Sequence, residues 1–371
     1  MRVGIPTEIK NNEYRVAITP AGVSELVHRG HDVLVQAGAG DGSAITDDDF
    51  KGAGAQIVSS ADDVWARADL LLKVKEPIEP EYSRMRTGQT LFTYLHLAAS
   101  RPCTDALLAS GITSIAYETV QTADGALPLL APMSEVAGRL AAQVGSYHLI
   151  RTQGGRGVLV GGVPGVAPAK VVVIGGGMAG DNAAAVAWGM GAHVTVFDLN
   201  INILRKIDAE YGGAIETRYS SRLDLEDAVK QADLVIGAVL VPGAKAPKLV
   251  TNKTVAQMKP GAVLVDIAID QGGCFEDSRP TTHDNPTFNV HNAVFYCVAN
   301  MPGTVPRTST YALTNATMPY VLKLADKGWQ GACFSDPALA RGLSTHQGQL
   351  LNAEVAHDLE LPYTDPAGLL A

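Results

Sequence analysis

The 371-residue sequence predicts an α/β fold with two mainly parallel sheets, one in each of two domains. Three observations carry this reading. Short β-branched runs alternate with longer helical patterns, which is how βαβ units read in sequence. The alternation runs through the first part of the chain and starts afresh mid-sequence, at "KVVVIGGG". The length also exceeds the roughly 250–300 residues at which a single core stops growing.

In chain order, "RVGIP", "HDVLVQA", "AQIV", "DLLLKV", "TLFTYLHL" and "ITSIAYE" read as the first set of strands. "PAGVSELVHRG", between the first two, reads as a helix stopped by Gly30. A long helical pattern follows in "SEVAGRLAAQVGSYHLIRT", with Ser134 as its expected N-cap. "QGGRGVLVGGVPGVAPA" is too rich in Gly and Pro for a core element and reads as an ordered loop. The second set comprises "KVVVIGGG", "AHVTVFD", "ADLVIGAVL", "AVLVDIAI" and "AVFYCV". "YALTNATMPYVLKLADKG" and "THQGQLLNAEVAHDL" then read as helices. The expected domains are residues 1–128 with 307–371, and residues 129–306.

Composition narrows the function. Lys and Arg are scattered and the net charge is −9, which argues against nucleic acid or an anionic membrane as partner. Pro and Gly break the most apolar region, so no transmembrane span is expected. Four well-separated cysteines form no CxxC pair, and the N-terminus has no apolar signal region. The reading is a cytoplasmic protein with reduced thiols and no metal site.

The most specific motif lies in "VVVIGGGMAGDNAAAVAWGMGAHVTVFDLN". Gly175, Gly177 and Gly180 fit G-x-G-x-x-G between an apolar strand and a helix of small residues. The first glycine permits a tight turn, the second lets a pyrophosphate approach the backbone, and the third lets helix and strand pack closely. This is the dinucleotide cradle of a Rossmann-like domain. Asp198 ends the next strand, where a carboxylate accepts hydrogen bonds from the adenosine ribose. It favours NAD over NADP: at ~4 Å and an effective ε of ~20, a 2′-phosphate would meet a penalty on the order of 4 kcal/mol before screening.

"GAVLVDIAIDQGG" places two carboxylates in an apolar strand pattern. Ligands of open α/β sheets bind beyond the carboxyl ends of strands, so Asp270 is expected at the reacting end. Asp266, deeper in the strand, reads as structural. In the first domain Arg15, Lys75 and His96 each follow a strand pattern. Singly, each has an unremarkable explanation in packing or solvation. Together they suit an oxo acid: Arg for its carboxylate, Lys to polarise its carbonyl, His to move protons near neutral pH.

At these residues the sequence resembles the alanine dehydrogenase family, which includes the NAD-binding subunit of proton-translocating transhydrogenase. The resemblance spans essentially the whole chain and rests on "VGIPTEIKNNEYRVAITP", "LLLKVKEP", "YLHLAAS", "APMSEVAGRLAAQ", "VVVIGGGMAG", "VLVDIAIDQGG", "RPTTHDNPTF" and "CVANMPGTVPRTSTYALTNAT". It implies two Rossmann-like domains with the active site in the interdomain cleft, and reversible NAD-dependent deamination of L-alanine to pyruvate and ammonium. Glyoxylate is a further candidate acceptor. It implies His96 and Asp270 as catalytic and Arg15 and Lys75 as substrate-binding. It also implies cofactor contacts at Ser134, Met178, Ala179, Asp198, Ser220, Val239, Leu240, Ile267, Ala268, Ile269, Asp270, Arg279, Val298, Ala299, Asn300 and Met301. A homohexamer is the implied assembly. Ile203 and Lys327 stand where relatives can carry a basic residue and a histidine, respectively. The alternative readings are a transhydrogenase NAD-binding subunit, which needs no small substrate, a saccharopine dehydrogenase, and a non-catalytic NAD sensor.

Overall fold

The computed structural model describes residues 1–239 and 246–370. It divides into two compact units, Met1–Met133 with Gly303–Ala371, and Ser134–Pro302.

The first unit begins with six strands: β1 (Arg2–Ile5), β2 (Asp32–Gln36), β3 (Gln56–Val58), β4 (Leu70–Leu72), β5 (Thr90–Thr93) and β6 (Thr113–Ala116). Thr19 caps the helix Pro20–His28 by accepting the Gly22 N–H, and Pro20 at its first position loses no hydrogen bond. Gly30 follows at φ +81°, ending the helix where the sequence placed its stop.

The second unit carries β7 (Lys170–Ile174), β8 (His193–Asp198), β9 (Glu216–Tyr219), β10 (Leu234–Gly237), β11 (Val263–Asp266), β12 (Thr287–Val290) and β13 (Ala293–Tyr296). The chain then adds β14 (Leu343–His346) and β15 (Gln349–Leu350) to the first unit. The sheet orders are β15-β14-β6-β5-β4-β1-β2-β3 and β12-β13-β11-β10-β7-β8-β9. Only β12, β14 and β15 pair antiparallel, so both sheets are mainly parallel, as expected. In each, the strand order reverses beside the first strand: between β1 and β4, and between β7 and β10. Such reversals open the crevice in which α/β proteins bind ligands.

The second sheet is apolar on both faces because helices cover both. Val171, Val173, Ile236 and Val265 point to one core, and Val172, Ile174, Val235 and Leu264 to the other, following the two-residue period of a strand. On the first face the helices Ala131–His148 and Met178–Gly189 meet at Gly138, where a Cβ would lie 2.1 Å from the Ala179 carbonyl oxygen.

Four local expectations are corrected. The helix over residues 131–148 starts at Ala131, so Ser134 lies inside it and is not its N-cap; Pro132, in the first turn, is tolerated there. "THQGQL" forms the β14–β15 hairpin rather than a helix, because Gln347 (φ +46°) and Gly348 (φ +80°) make a tight two-residue turn. The helix starts only at Ala353. The strand expected over residues 262–270 stops at Asp266, whose carboxylate accepts the Ala268 N–H and caps a short 3₁₀ turn, Ile267–Gln271. Finally, β9 and β12 were not anticipated from the sequence.

Candidate functional site

In the first unit the candidate residues follow three adjacent parallel strands. Arg15 lies in the loop after β1, Lys75 three residues beyond β4, and His96 three residues beyond β5. Parallel pairing brings these loops to one edge of the sheet.

Arg15 is buried (2% exposed) and its fork is held by Glu13: Nε donates to Oε1 at 2.7 Å and Nη2 to Oε2 at 2.6 Å. Nη1 donates to the Met133 sulfur at 2.9 Å. A cavity of about 360 Å³ opens along residues 7–15, Gly38, Ala39 and Gly42 and reaches Arg15. The Lys75 ammonium lies 6.0 Å from the centre of the Tyr94 ring, and that ring stands edge-on to His96 at 5.8 Å. Tyr94 is itself fixed, its hydroxyl donating to the Leu129 carbonyl at 2.5 Å.

His96 has a left-handed backbone, φ +49°, which costs a non-glycine residue on the order of 1–3 kcal/mol. Glu118 holds it there. Its Oε1 accepts the His96 N–H at 2.6 Å and the Leu95 N–H at 3.1 Å, and lies 3.7 Å from His96 Nδ1. Nδ1 is buried without a hydrogen bond although the side chain is 35% exposed, so the exposure lies on the rest of the ring. Burial, then the positive charges of Lys75, Lys10 and Arg15, hold the imidazole well below its ordinary value. Burial raises the Glu118 carboxyl, and the amide hydrogen bonds it accepts oppose that shift.

Beneath this group Lys73 is paired with Glu8 at 3.1 Å and Glu81 at 2.9 Å, all three buried. Burial alone would lower the Lys73 pKa; the two carboxylates outweigh it and the net shift is upward. Glu8 also accepts the Val74 N–H at 2.6 Å, tying the β1 loop to the β4 loop that carries Lys75. The sequence reading missed Glu8, Glu13, Lys73, Tyr94 and Glu118. A signal existed for Glu13, a carboxylate two residues before the key arginine.

In the second unit Gly175 turns at φ +95°, and a Cβ on it would lie 2.9 Å from the Ala238 carbonyl oxygen and 3.1 Å from a Val239 methyl, across the β7/β10 crossover. A Cβ on Gly180 would lie 1.7 Å from the Gly175 carbonyl oxygen. Over Gly177 there is nothing within 4 Å, and no side chain caps the helix that starts at Met178. An open approach to uncapped N–H groups at a helix N-terminus fits a pyrophosphate. Asp198 Oδ2 accepts the Gly176 N–H at 2.7 Å and its Oδ1 accepts the Asn200 N–H at 2.7 Å, so the glycine turn is fastened to the acidic residue. Ile203 packs under the same turn, 2.8 Å from where a Gly176 Cβ would lie.

The remaining candidates lie along the same edge. Ser220 N–H donates to the Asp198 carbonyl at 3.0 Å. Val239 follows β10; Leu240 lies outside the described residues. Ile267, Ala268, Ile269 and Asp270 make the 3₁₀ turn after β11. Val298, Ala299, Asn300 and Met301 follow β13, Asn300 at φ +57°. The Arg279 guanidinium lies over the Phe288 ring at 4.3 Å. Asp266, fully buried, accepts the Cys274 N–H at 2.9 Å and the Ser278 hydroxyl at 2.5 Å besides its cap. Burial raises its pKa and these bonds oppose the rise.

Family models for the alanine dehydrogenase/PNT N-terminal and C-terminal domains match residues 4–137 and 141–353. The chain belongs to the alanine dehydrogenase/PNT family. It is 81% identical to an alanine dehydrogenase of Mycolicibacterium smegmatis over all 371 residues of this chain and 100% of that one. Among solved structures, an L-alanine dehydrogenase aligns with a TM-score of 0.94 at 50% identity, covering 97% of this chain and 99% of that one. A transhydrogenase from Sinorhizobium meliloti aligns with a TM-score of 0.80 at 25% identity, covering 95% and 99%. The family implies a nicotinamide-dinucleotide cofactor and a small-molecule substrate. No helix among the described residues is long and apolar enough to cross a membrane. Among them no three His, Cys, Asp or Glu side chains are grouped to hold a metal ion.

Proposed function

We propose that this chain is an NAD-dependent alanine dehydrogenase that interconverts L-alanine with pyruvate and ammonium, glyoxylate being a further candidate acceptor. The observation that carries the reading is the convergence of Arg15, Lys75 and His96 beyond the carboxyl ends of β1, β4 and β5. A guanidinium, an ammonium and a neutral imidazole at one sheet edge suit an oxo acid and the protons its amination moves.

In the amination direction Arg15 takes the pyruvate carboxylate, its fork pre-set by Glu13, and Lys75 polarises the keto oxygen. Ammonia adds to the carbonyl carbon to give a carbinolamine. Loss of water, with the proton transfers assigned to His96 and Asp270, gives an iminium. Bound nicotinamide supplies the hydride that completes alanine. The low pKa of His96 keeps the ring unprotonated near neutral pH, so it enters the cycle as a proton acceptor.

The first unit is assigned to substrate and the second to the dinucleotide. The pyrophosphate is assigned to Gly175, Gly177, Met178, Ala179 and Gly180, the adenosine ribose to Asp198, and the remaining contacts to Ser134, Ser220, Val239, Leu240, residues 267–270, Arg279 and residues 298–301. The charge of Asp198 supports NAD over NADP. A homohexamer in the cytoplasm completes the proposal on family resemblance.

One assay tests it: NADH consumption with pyruvate, with and without ammonium, repeated with NADPH. Turnover that requires both pyruvate and ammonium and prefers NADH is expected. Failure to oxidise NADH under any of these conditions would favour a transhydrogenase subunit or a nucleotide sensor.

A further inference from the structure

Asp270 sits on a turn rather than at a strand end, so something must fix its direction. The turn Ile267–Gln271 leads into Gly272 (φ +90°) and Gly273 (φ +76°), two residues with no side chain to anchor them. Its near end is held by Asp266, which caps Ala268. Its far end is held from another strand's loop. Residues 246–250 run alongside residues 271–275: Ala246 N–H donates to the Gln271 carbonyl at 3.1 Å and Leu249 N–H to the Cys274 carbonyl at 2.8 Å. At the centre of this strip the Lys248 ammonium donates to the Gly272 carbonyl at 2.6 Å and to the Gly273 carbonyl at 2.9 Å.

We propose that Lys248 is a positioning residue for Asp270, its ammonium fastening both glycine carbonyls and so fixing the turn that carries the carboxylate. A cation at the carbonyl end of a helical turn satisfies acceptors that the turn leaves unpaired. The other ties along this strip are backbone hydrogen bonds that any sequence would make; Lys248 adds the charge-assisted pair and joins the loop after β10 to the loop after β11. The role extends the proposed function, since it matters for turnover only if Asp270 takes part in the chemistry.

The test is Lys248→Met, with Lys248→Arg as the conservative variant, each also made in an Asp270→Asn background. Misdirection of a reacting group by about 1 Å can cost up to roughly a hundred-fold, so a loss in kcat of about ten-fold is expected for Lys248→Met, with little change in pyruvate KM. The melting temperature should hold, Lys248→Arg should recover most of the rate, and Lys248→Met should cost nothing more when Asp270 is already Asn. Amide hydrogen exchange in the protein without cofactor should speed up over residues 267–273 and nowhere else. Wild-type kcat in Lys248→Met, an equal further loss in the Asp270→Asn background, or unchanged exchange over that turn would each overturn the proposal. Full turnover by Asp270→Asn alone would instead remove Asp270 from the chemistry, and the exchange measurement would then decide separately whether Lys248 holds the turn.

Discussion

Glu118 grips His96 by its backbone: Oε1 accepts the His96 N–H at 2.6 Å and stands 3.7 Å from Nδ1 of the ring. The same carboxylate accepts the Leu95 N–H, so one buried side chain holds the left-handed conformation that aims the imidazole.

Replacing Glu118 by Ala leaves two amides without their acceptor and releases that backbone. A loss of about 1–3 kcal/mol in urea unfolding is expected, together with a fall in kcat. Glu118→Gln keeps an acceptor oxygen and should retain most of the stability. Equal damage from both variants would show that charge, rather than the backbone grip, is what His96 requires.

The position of His96 among cations sets the pH dependence. Burial, then Lys75, Lys10 and Arg15, lower its pKa, each cation favouring the neutral ring. The protonated ring is therefore disfavoured in the fold, and the stability contributed by neutral His96 is lost as pH falls through and below the ordinary value of 6.5. Lys10 is the cation to remove, because its side chain is 40% exposed and it is ion-paired with Glu76 rather than assigned to substrate. Lys10→Gln takes away a charge that disfavours protonation and leaves Glu76 unpaired; both effects raise the His96 pKa. The acid limb of kcat/KM for pyruvate should move to higher pH. A limb that stays put or moves down would mean that another group sets it.

Much of this was legible in the sequence, and the gaps share a physical cause. β7, β8, β10, β11 and β13 announced themselves because strands covered on both faces must be apolar throughout. β9, with only Thr217 partly buried among exposed Glu216, Arg218 and Tyr219, carries no such signal. Neither does β12, an edge strand with no fully buried residue. "VLVDIAID" misled because a strand and a buried 3₁₀ turn draw on the same apolar residues, and the change at Asp266 is made by a side-chain cap that hydrophobicity does not encode. Arg15, Lys75 and His96 could be picked out as polar residues after strand patterns. Their partners Glu13, Glu118, Glu8 and Lys73 looked like surface charge, since only the folded chain brings Glu8 to Lys73 or Glu118 to His96.

Asp198 should govern coenzyme choice. Its carboxylate is engaged by Gly176 N–H and Asn200 N–H, so Asp198→Asn removes charge while keeping one acceptor and nearly the same shape. A like-charge penalty on the order of 4 kcal/mol before screening leaves room for the NADPH-to-NADH ratio of kcat/KM to rise by about ten-fold or more. An unchanged ratio would place the source of selectivity elsewhere.

Two glycines five residues apart from end to end of the motif offer the cleanest separation of fold from binding. A methyl on Gly180 would fall 1.7 Å from the Gly175 carbonyl oxygen, a backbone atom that cannot move aside without parting helix from strand. Gly180→Ala should therefore unfold or strongly destabilise the second unit, seen as a drop in melting temperature with or without cofactor. Gly177 has φ −66°, which alanine adopts freely, and open space where a methyl would go. Gly177→Ala should melt as the wild type does, within roughly 0.5 kcal/mol. If a pyrophosphate lies against that backbone, the added methyl occupies its place and NADH affinity should fall by about ten-fold or more, read by quenching of protein fluorescence. Tight NADH binding by a well-folded Gly177→Ala would move the phosphates away from this turn and, with them, the whole assignment of the cradle.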